Sequence, residues 1–273
     1  MDQLFVDPAA VMDRHGFGAK KSLGQNFLTD GVIARAVLDA LPAEPSAIVE
    51  IGAGPGTMTR ALGQTRDRVA AVELDPRLVG VLRRDFDGTP GVEIVAGDAI
   101  EMDLAALLPA PYGVFGNIPY HITGLLIPRL LRMDPRPAWV CLMVQLEVAE
   151  RLSAEPGGWS LATLAVRSAA TAELLMRVPA QAFEPAPKVD SALLLLRPTP
   201  RAAFADEAFF AFARAVFQER RKKLPNAVAN ALGHDVSRGR EVVARSGLDE
   251  MRRPQMLDLA EWEILYHAFS EVG

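Results

Sequence analysis

Short apolar runs alternate with helix-period segments through the first two-thirds of this 273-residue chain, and that alternation limits its fold more than any other feature. Residues 47–51, 69–73, 92–96, 112–115, 138–145, 173–178 and 191–197 read as strands. Residues 31–41, 57–64, 76–86, 123–133, 147–152 and 161–168 read as helices. Such alternation builds βαβ units on a mostly parallel sheet. Pro76 suits a first helical turn, where its missing N–H costs nothing. The last two strands have no clear helix between them and are expected to pair antiparallel at one edge. Arg197-Pro198-Thr199-Pro200-Arg201 marks a boundary. Beyond it only helical patterns follow, at 207–218, 222–232, 237–246 and 256–269. The expectation is an α/β domain over residues 1–198 and a small all-helical domain over 199–273, a division this length can support.

The first strand runs into Gly52-Ala53-Gly54-Pro55-Gly56. Glycines let backbone approach a ligand closely and adopt positive φ. The spacing is G-x-G-x-G, not the G-x-G-x-x-G of dinucleotide binding, and no phosphate-binding lysine follows, which argues against a nucleoside triphosphatase. Glu73 ends the next strand, where a carboxylate can accept both hydroxyls of a ribose. Asp75 close by better suits a solvated acid. Asp98 ends the third strand and can accept an adenine amino group. All three features fall at carboxyl ends of strands, where open α/β sheets bind ligands. Acids without a phosphate grip suit a cofactor with adenine, ribose and a cationic centre, which describes S-adenosylmethionine.

Asn117-Ile118-Pro119-Tyr120 follows the fourth strand, 65 residues after Gly52. An aromatic amine is a poor nucleophile because its lone pair is delocalised into the ring. An amide side chain and a backbone carbonyl can accept its two N–H bonds and draw the nitrogen towards tetrahedral geometry. Proline fixes the turn through its φ, and a tyrosine can stack on a flat base for roughly 1–3 kcal/mol. The pattern points to methylation of the exocyclic amine of a nucleobase.

The formal net charge of −5 argues by itself against a polyanionic partner, yet Arg214 to Arg253 holds ten Lys/Arg against five Asp/Glu. A basic face on an acidic protein remains compatible with RNA. Cys141 is the single cysteine, so no intramolecular disulfide forms, and its apolar surroundings suit a buried small hydrophobe. The four histidines are scattered without metal-ligand spacing, so no metal is expected. With no apolar leader-like segment at the start and no run of 18 uncharged apolar residues, a cytoplasmic protein away from membranes is expected. Nothing in the sequence demands a dimer, so a monomer is expected.

Four segments together resemble the small-subunit ribosomal RNA adenine N6,N6-dimethyltransferases, the rRNA adenine dimethylase family. They are Lys20-Lys21-Ser22-Leu23-Gly24-Gln25-Asn26-Phe27-Leu28, Glu50-Ile51-Gly52-Ala53-Gly54-Pro55-Gly56, Asn117-Ile118-Pro119-Tyr120 and Phe183-Glu184-Pro185-Ala186-Pro187-Lys188-Val189-Asp190-Ser191. The resemblance covers nearly the whole chain. It implies a Rossmann-like S-adenosylmethionine-dependent methyltransferase domain with a small all-helical C-terminal domain. It further implies dimethylation of two adjacent adenosines in the 3′-terminal hairpin of 16S rRNA within the 30S subunit or its precursor, with a role in subunit biogenesis. By the same resemblance Gln25, Asn26, Leu28, Gly52, Gly54, Glu73 and Asp98 line the cofactor. Asn117 bridges cofactor and target amine, the Ile118 carbonyl takes the second N–H, Pro119 holds the loop, and Tyr120 and Phe183 sandwich the base. Read alone, Phe183 is a core residue.

The chain departs from the family at Phe217-Gln218-Glu219-Arg220-Arg221-Lys222-Lys223-Leu224, where Glu219 replaces a neutral amide and Lys223 a hydroxyl. Arg220, Arg221, Lys222 and Lys223 are expected to bind RNA phosphates; the alternative is a solvated helix start. Three other functions stay open: dimethylation of large-subunit rRNA, a binding factor that checks ribosome assembly, and an NAD-dependent dehydrogenase. The last leaves Asn117 to Tyr120 and Phe183 to Ser191 without a role.

Overall fold

The structure, a computed structural model, describes residues 7–16, 18–20 and 23–272. Lys21 and Ser22 of the N-terminal motif lie outside the described residues. The elements in chain order are α1 (Pro8–His15), β1 (Phe27–Leu28), α2 (Gly31–Ala40), β2 (Ala47–Ile51), α3 (Thr57–Thr65), β3 (Arg68–Glu73), α4 (Pro76–Asp85), β4 (Val92–Ala96) and β5 (Gly113–Asn117). They continue with α5 (Thr123–Leu130), β6 (Trp139–Gln145), α6 (Leu146–Leu152), α7 (Leu161–Arg167), β7 (Ala170–Val178), β8 (Phe183–Glu184) and β9 (Ser191–Pro198). Four helices follow: α8 (Glu207–Gln218), α9 (Leu224–Ala231), α10 (Val236–Ser246) and α11 (Leu259–Val272).

Two compact units divide the chain. One extends to Ala149 and takes in Glu173–Pro198; the other comprises Glu150–Ala172 and Thr199–Gly273. The sequence boundary at 198 coincides with the last crossing between them. The sequence pattern puts the excursion 150–172 in the α/β domain, and the structure gives it to the helical unit instead. The reason is packing: Trp159 and Leu164 are buried in one cluster with Phe209, Phe212, Val228, Val242, Trp262 and Leu265.

In the first unit a seven-stranded sheet has the order β4-β3-β2-β5-β6-β9-β7. The pairs β2–β3, β3–β4, β2–β5 and β5–β6 are parallel, while β6–β9 is antiparallel. The last two strands do meet at one edge, as neighbours. Central strands carry continuous apolar runs because both faces are covered; Ile48, Val49 and Ile51 are all buried. Chain order reverses at β2, since β3 lies on one side and β5 on the other. Register sets Ile51 opposite both Val72 and Gly116, and Val72 opposite Val95. The carboxyl ends of four strands therefore open on one crevice at a topological switch point.

Helix starts follow from their caps. Asp30 accepts from Val32 and Ile33 N–H, and Asp75 accepts from Arg77 N–H just before Pro76. In the second unit Ser160 and Thr163 form a reciprocal capping box on α7. Gly239 lets α10 meet α9: a Cβ there would stand 2.2 Å from the Pro225 carbonyl oxygen. The Phe217 ring stacks on Trp262 at 5.0 Å. The helix expected from Lys222 starts later, at Leu224, because Pro225 fixes the first turn and Lys223 takes the cap position. Among the described residues no helix is long and apolar enough to cross a membrane.

Candidate active site

A cavity of about 210 Å³ opens at the switch point. Its walls come from the turns after β2, β3, β4 and β5 and from the segment leading into β1. Gln25, Asn26, Leu28, Gly52, Gly54, Glu73, Asp98, Asn117, Ile118, Pro119 and Tyr120 all line it. These are residues the sequence singled out, brought together from five stretches of chain.

The glycine turn is shaped by positive φ at Gly52, Gly54 and Gly56. A Cβ on Gly52 would lie 3.2 Å from the Asn117 carbonyl oxygen, and one on Gly54 would lie 3.1 Å from the Phe27 ring. The turn thus touches both the loop after β5 and the N-terminal segment, and no larger residue fits without moving them.

Glu73 organises this turn from below. Its Oε2 accepts from Gly54 N–H at 2.8 Å, and its Oε1 accepts from Leu74 and Asp75 N–H at 2.9 and 2.8 Å. Burial raises its pKa, and the three backbone donors work against that rise. Asp98 Oδ1 accepts from Ile100 N–H at 2.8 Å, which holds the turn after β4. Asp75 is not the solvated acid the sequence suggests. It is 1% exposed, caps α4 and pairs with Arg77 and Lys20. Arg77 hydrogen bonding holds its carboxyl down, at about 2.

Glu50 is an acid to which the sequence assigns no role. It lines the cavity at 2% exposure, and its Oε2 has no hydrogen-bond partner among the described residues. Burial pushes it up to about 8; the Thr59 hydroxyl lowers it and Glu73 raises it. Alternation along β2 carries a signal for it, since an acid between Val49 and Ile51 interrupts an otherwise apolar run.

Asn117 ends β5, half-buried. Its Nδ2 donates to the Asn26 carbonyl at 3.1 Å. Among the described residues its Oδ1 has no partner, so a carboxamide oxygen on the cavity wall is free to accept. Tyr120 is also half-buried, its hydroxyl 2.6 Å from Ser191 Oγ. Phe183 does not join them. It is 2% exposed, packed in the core with Leu28 and Val178, and absent from the cavity lining. The pairing of β8 with β1 sets Phe183 opposite Leu28 and directs both inward. Without a ligand, Phe183 thus sits behind the cavity wall and not on it.

The lining tests which ligand fits. Among the described residues it contains the acids Glu73 and Asp98, the Glu50 carboxyl that burial pushes towards its neutral form, and no lysine or arginine. Such a wall repels phosphates and suits a ligand with hydroxyls, an amino group and positive charge, as S-adenosylmethionine has. In the helical unit Arg220, Arg221, Lys222 and Lys223 are all exposed in the turn between α8 and α9. Lys223 takes the cap position of α9, and none of the four lines the cavity.

A family model for ribosomal RNA adenine dimethylases matches residues 16–264. Proteins named ribosomal RNA small subunit methyltransferase A are similar along nearly their full length. The one from Desulfitobacterium hafniense (strain DSM 10664 / DCB-2) is 40% identical over 93% of each chain. The one from Geobacter sulfurreducens is 40% identical over 94% of this chain and 98% of its own. Among solved structures, a dimethyladenosine transferase from Plasmodium falciparum superposes with a TM-score of 0.75 at 25% identity, covering 90% of this chain and 98% of that one. The 23S rRNA methyltransferase ErmE gives 0.66 at 26% identity, over 90% of this chain and all of its own.

Proposed function

The chain belongs to the ribosomal RNA adenine dimethylase family, and on that premise we propose that it dimethylates the N6 amines of two adjacent adenosines in the 3′-terminal hairpin of 16S rRNA, acting in the cytoplasm as a monomer on the small subunit or its precursor. It is an rRNA adenine methyltransferase that uses S-adenosylmethionine. That cofactor supplies a methyl group made electrophilic by its cationic sulfur. Everything else is asked of the chain's own groups.

One observation carries the reading: the free Oδ1 of Asn117 stands on the wall of a cavity lined by three acids and no cation among the described residues. Glu73 and Asp98 supply acceptors for ribose hydroxyls and an adenine amino group. Gln25 and Leu28 complete that side of the wall, although the Gln25 oxygen already accepts from Lys20 N–H at 2.7 Å. Asn117 Oδ1 and the Ile118 carbonyl accept the two N–H bonds of the target amine and localise its lone pair. Pro119 holds that loop, and Tyr120 offers a face for the base. No strong base is required, because the amine attacks neutral and sheds its proton to Asn117, a carbonyl or water afterwards. Rate enhancement then rests on positioning and on polar groups set for the developing charge. A base in a hairpin loop is already exposed, which lowers the few kcal/mol that extraction from a helix costs. Arg220 to Lys223 supply a phosphate-binding turn; the neighbouring Glu219 leaves the run strongly cationic.

The test is methyl transfer from labelled S-adenosylmethionine to unmethylated small subunits, followed by nucleoside analysis. N6,N6-dimethyladenosine in the 3′-terminal hairpin, absent with Asn117→Ala, is expected. No transfer despite measurable binding of donor and subunit would turn the reading towards an assembly factor or another RNA.

A further inference from the structure

The Asn117 carboxamide has two near-isosteric orientations, with oxygen and nitrogen exchanged. Only one is useful to an incoming amine. With Oδ1 forward, the target N–H meets an acceptor; with Nδ2 forward, it meets another donor. Something must therefore set the amide. Among the described residues the only group that touches it by hydrogen bond is the Asn26 carbonyl, 3.1 Å from Nδ2. A backbone carbonyl accepts and never donates. The flipped amide would point oxygen at oxygen on one side and donor at donor on the other.

The placement of that carbonyl is itself built. Gly24 adopts φ +64°, and a Cβ there would come within 3.3 Å of both Pro119 Cβ and His121 Nδ1. The turn and the loop after β5 therefore touch directly. Asn26 Nδ2 donates to the Gly24 carbonyl at 3.2 Å, which closes the turn on itself. Downstream, Phe27 and Leu28 pair with Glu184 and Phe183, and Thr29 N–H donates to the Ala182 carbonyl at 2.8 Å. The carbonyl is anchored on both sides.

We infer that Gly24 and Asn26 are positioning residues for Asn117: their turn presents a backbone carbonyl that locks the Asn117 amide with its oxygen towards the acceptor amine. This rests on the reading of Asn117 as the amine's acceptor. Gly24→Ala strains the left-handed conformation and pushes its Cβ against Pro119 and His121, so the turn retracts and the amide loses its lock.

The experiment uses the full-length enzyme with Gly24→Ala and Asn117→Ala as the two arms. Kinetics on unmethylated small subunits should show kcat for Gly24→Ala reduced at least tenfold. KM for the subunit and the Kd for S-adenosylhomocysteine should stay within about threefold. Independently of activity, the Asn117 side-chain NH2 resonances of ¹⁵N-asparagine-labelled protein, identified by their loss in Asn117→Ala, should show one slowly exchanging, displaced proton in the parent. In Gly24→Ala they should collapse towards free-amide values. Parent-like kcat in Gly24→Ala overturns the inference, as does a kcat loss with unchanged Asn117 resonances. Transfer retained by Asn117→Ala instead overturns the underlying reading of Asn117, so the two failures are distinct.

Discussion

The Tyr120 hydroxyl lies 2.6 Å from Ser191 Oγ, tying the loop after β5 to the first residue of β9. Ser191 is fully buried and Tyr120 half-buried, so the bond ties the hydroxyl end of the ring to the sheet. This gives Ser191, the last residue of the fourth motif, a physical task.

Ser191→Ala removes that bond but not the ring. A neutral hydrogen bond contributes about 0.5–1.5 kcal/mol, so KM for the RNA substrate should rise roughly two- to tenfold, by the equivalence of 1.4 kcal/mol to a factor of ten. Tyr120→Ala should exceed it. Binding of S-adenosylhomocysteine should be unchanged in both. Steady-state kinetics with isothermal titration separates the two readouts, and equal RNA kinetics for parent and Tyr120→Ala would rule out stacking.

Glu50 makes stability depend on pH. Its folded carboxyl is raised to about 8 from an ordinary 4.5, so the fold favours the protonated form. That contribution is intact below 4.5 and is lost as pH rises towards 8. Glu50→Gln keeps the neutral shape without the titration. The variant should match the parent near pH 5 and exceed it by about 2–4 kcal/mol near pH 8.5, each pK unit being about 1.4 kcal/mol. Thermal melts of ligand-free protein across that range provide the check; parallel curves would contradict it.

Gly239→Ala should damage the helical unit alone. Its Cβ would overlap the Pro225 carbonyl oxygen, so α10 must move off α9. Overpacking of this kind costs about 1–3 kcal/mol. Denaturant unfolding should show the loss, while S-adenosylhomocysteine affinity, set in the other unit, should be retained.

Neutralising Arg220, Arg221 and Lys222 together should weaken RNA binding and flatten its salt dependence. Each cation that no longer meets a phosphate lowers the slope of log K against log salt by about 0.7–0.9, so three lower it by about 2–3. An unaltered slope would return the exposed turn to a solvated role.

How much of the fold is legible in the sequence follows from the range of each signal. Strands β2 and β4 match their expected bounds because apolar runs are closed by Gly or Pro. Glu73 and Asp98 are readable as acids at strand ends followed by turns, whereas Glu50 lies within β2. The two-residue strands β1 and β8 are not: two residues carry no period, and their pairing joins Phe27 to Glu184 across most of the unit. For the same reason the burial of Phe183, opposite Leu28, is not readable from its own segment. Helix α1 escapes the sequence reading although Asp7-Pro8 is a cap followed by a first-turn proline. The assignment of 150–172 to the helical unit is hidden because Trp159 and Leu164 are buried in a cluster drawn mostly from residues beyond 200.

The tie between Thr29 and Ala182 spans 153 residues. A chain is made from its N-terminus, at about 5–20 residues per second. The segment that carries Gln25, Asn26 and Leu28 therefore waits roughly 8–30 s for the strand that anchors it, judged from the same rate. Until then the glycine turn and the Asn117 loop can form, and the N-terminal wall has only its contacts with them, through Gly24, Asn26 and Phe27, to hold it. The N-terminal wall of the cavity is in this sense the last to be fixed, by the order in which the chain's residues are joined.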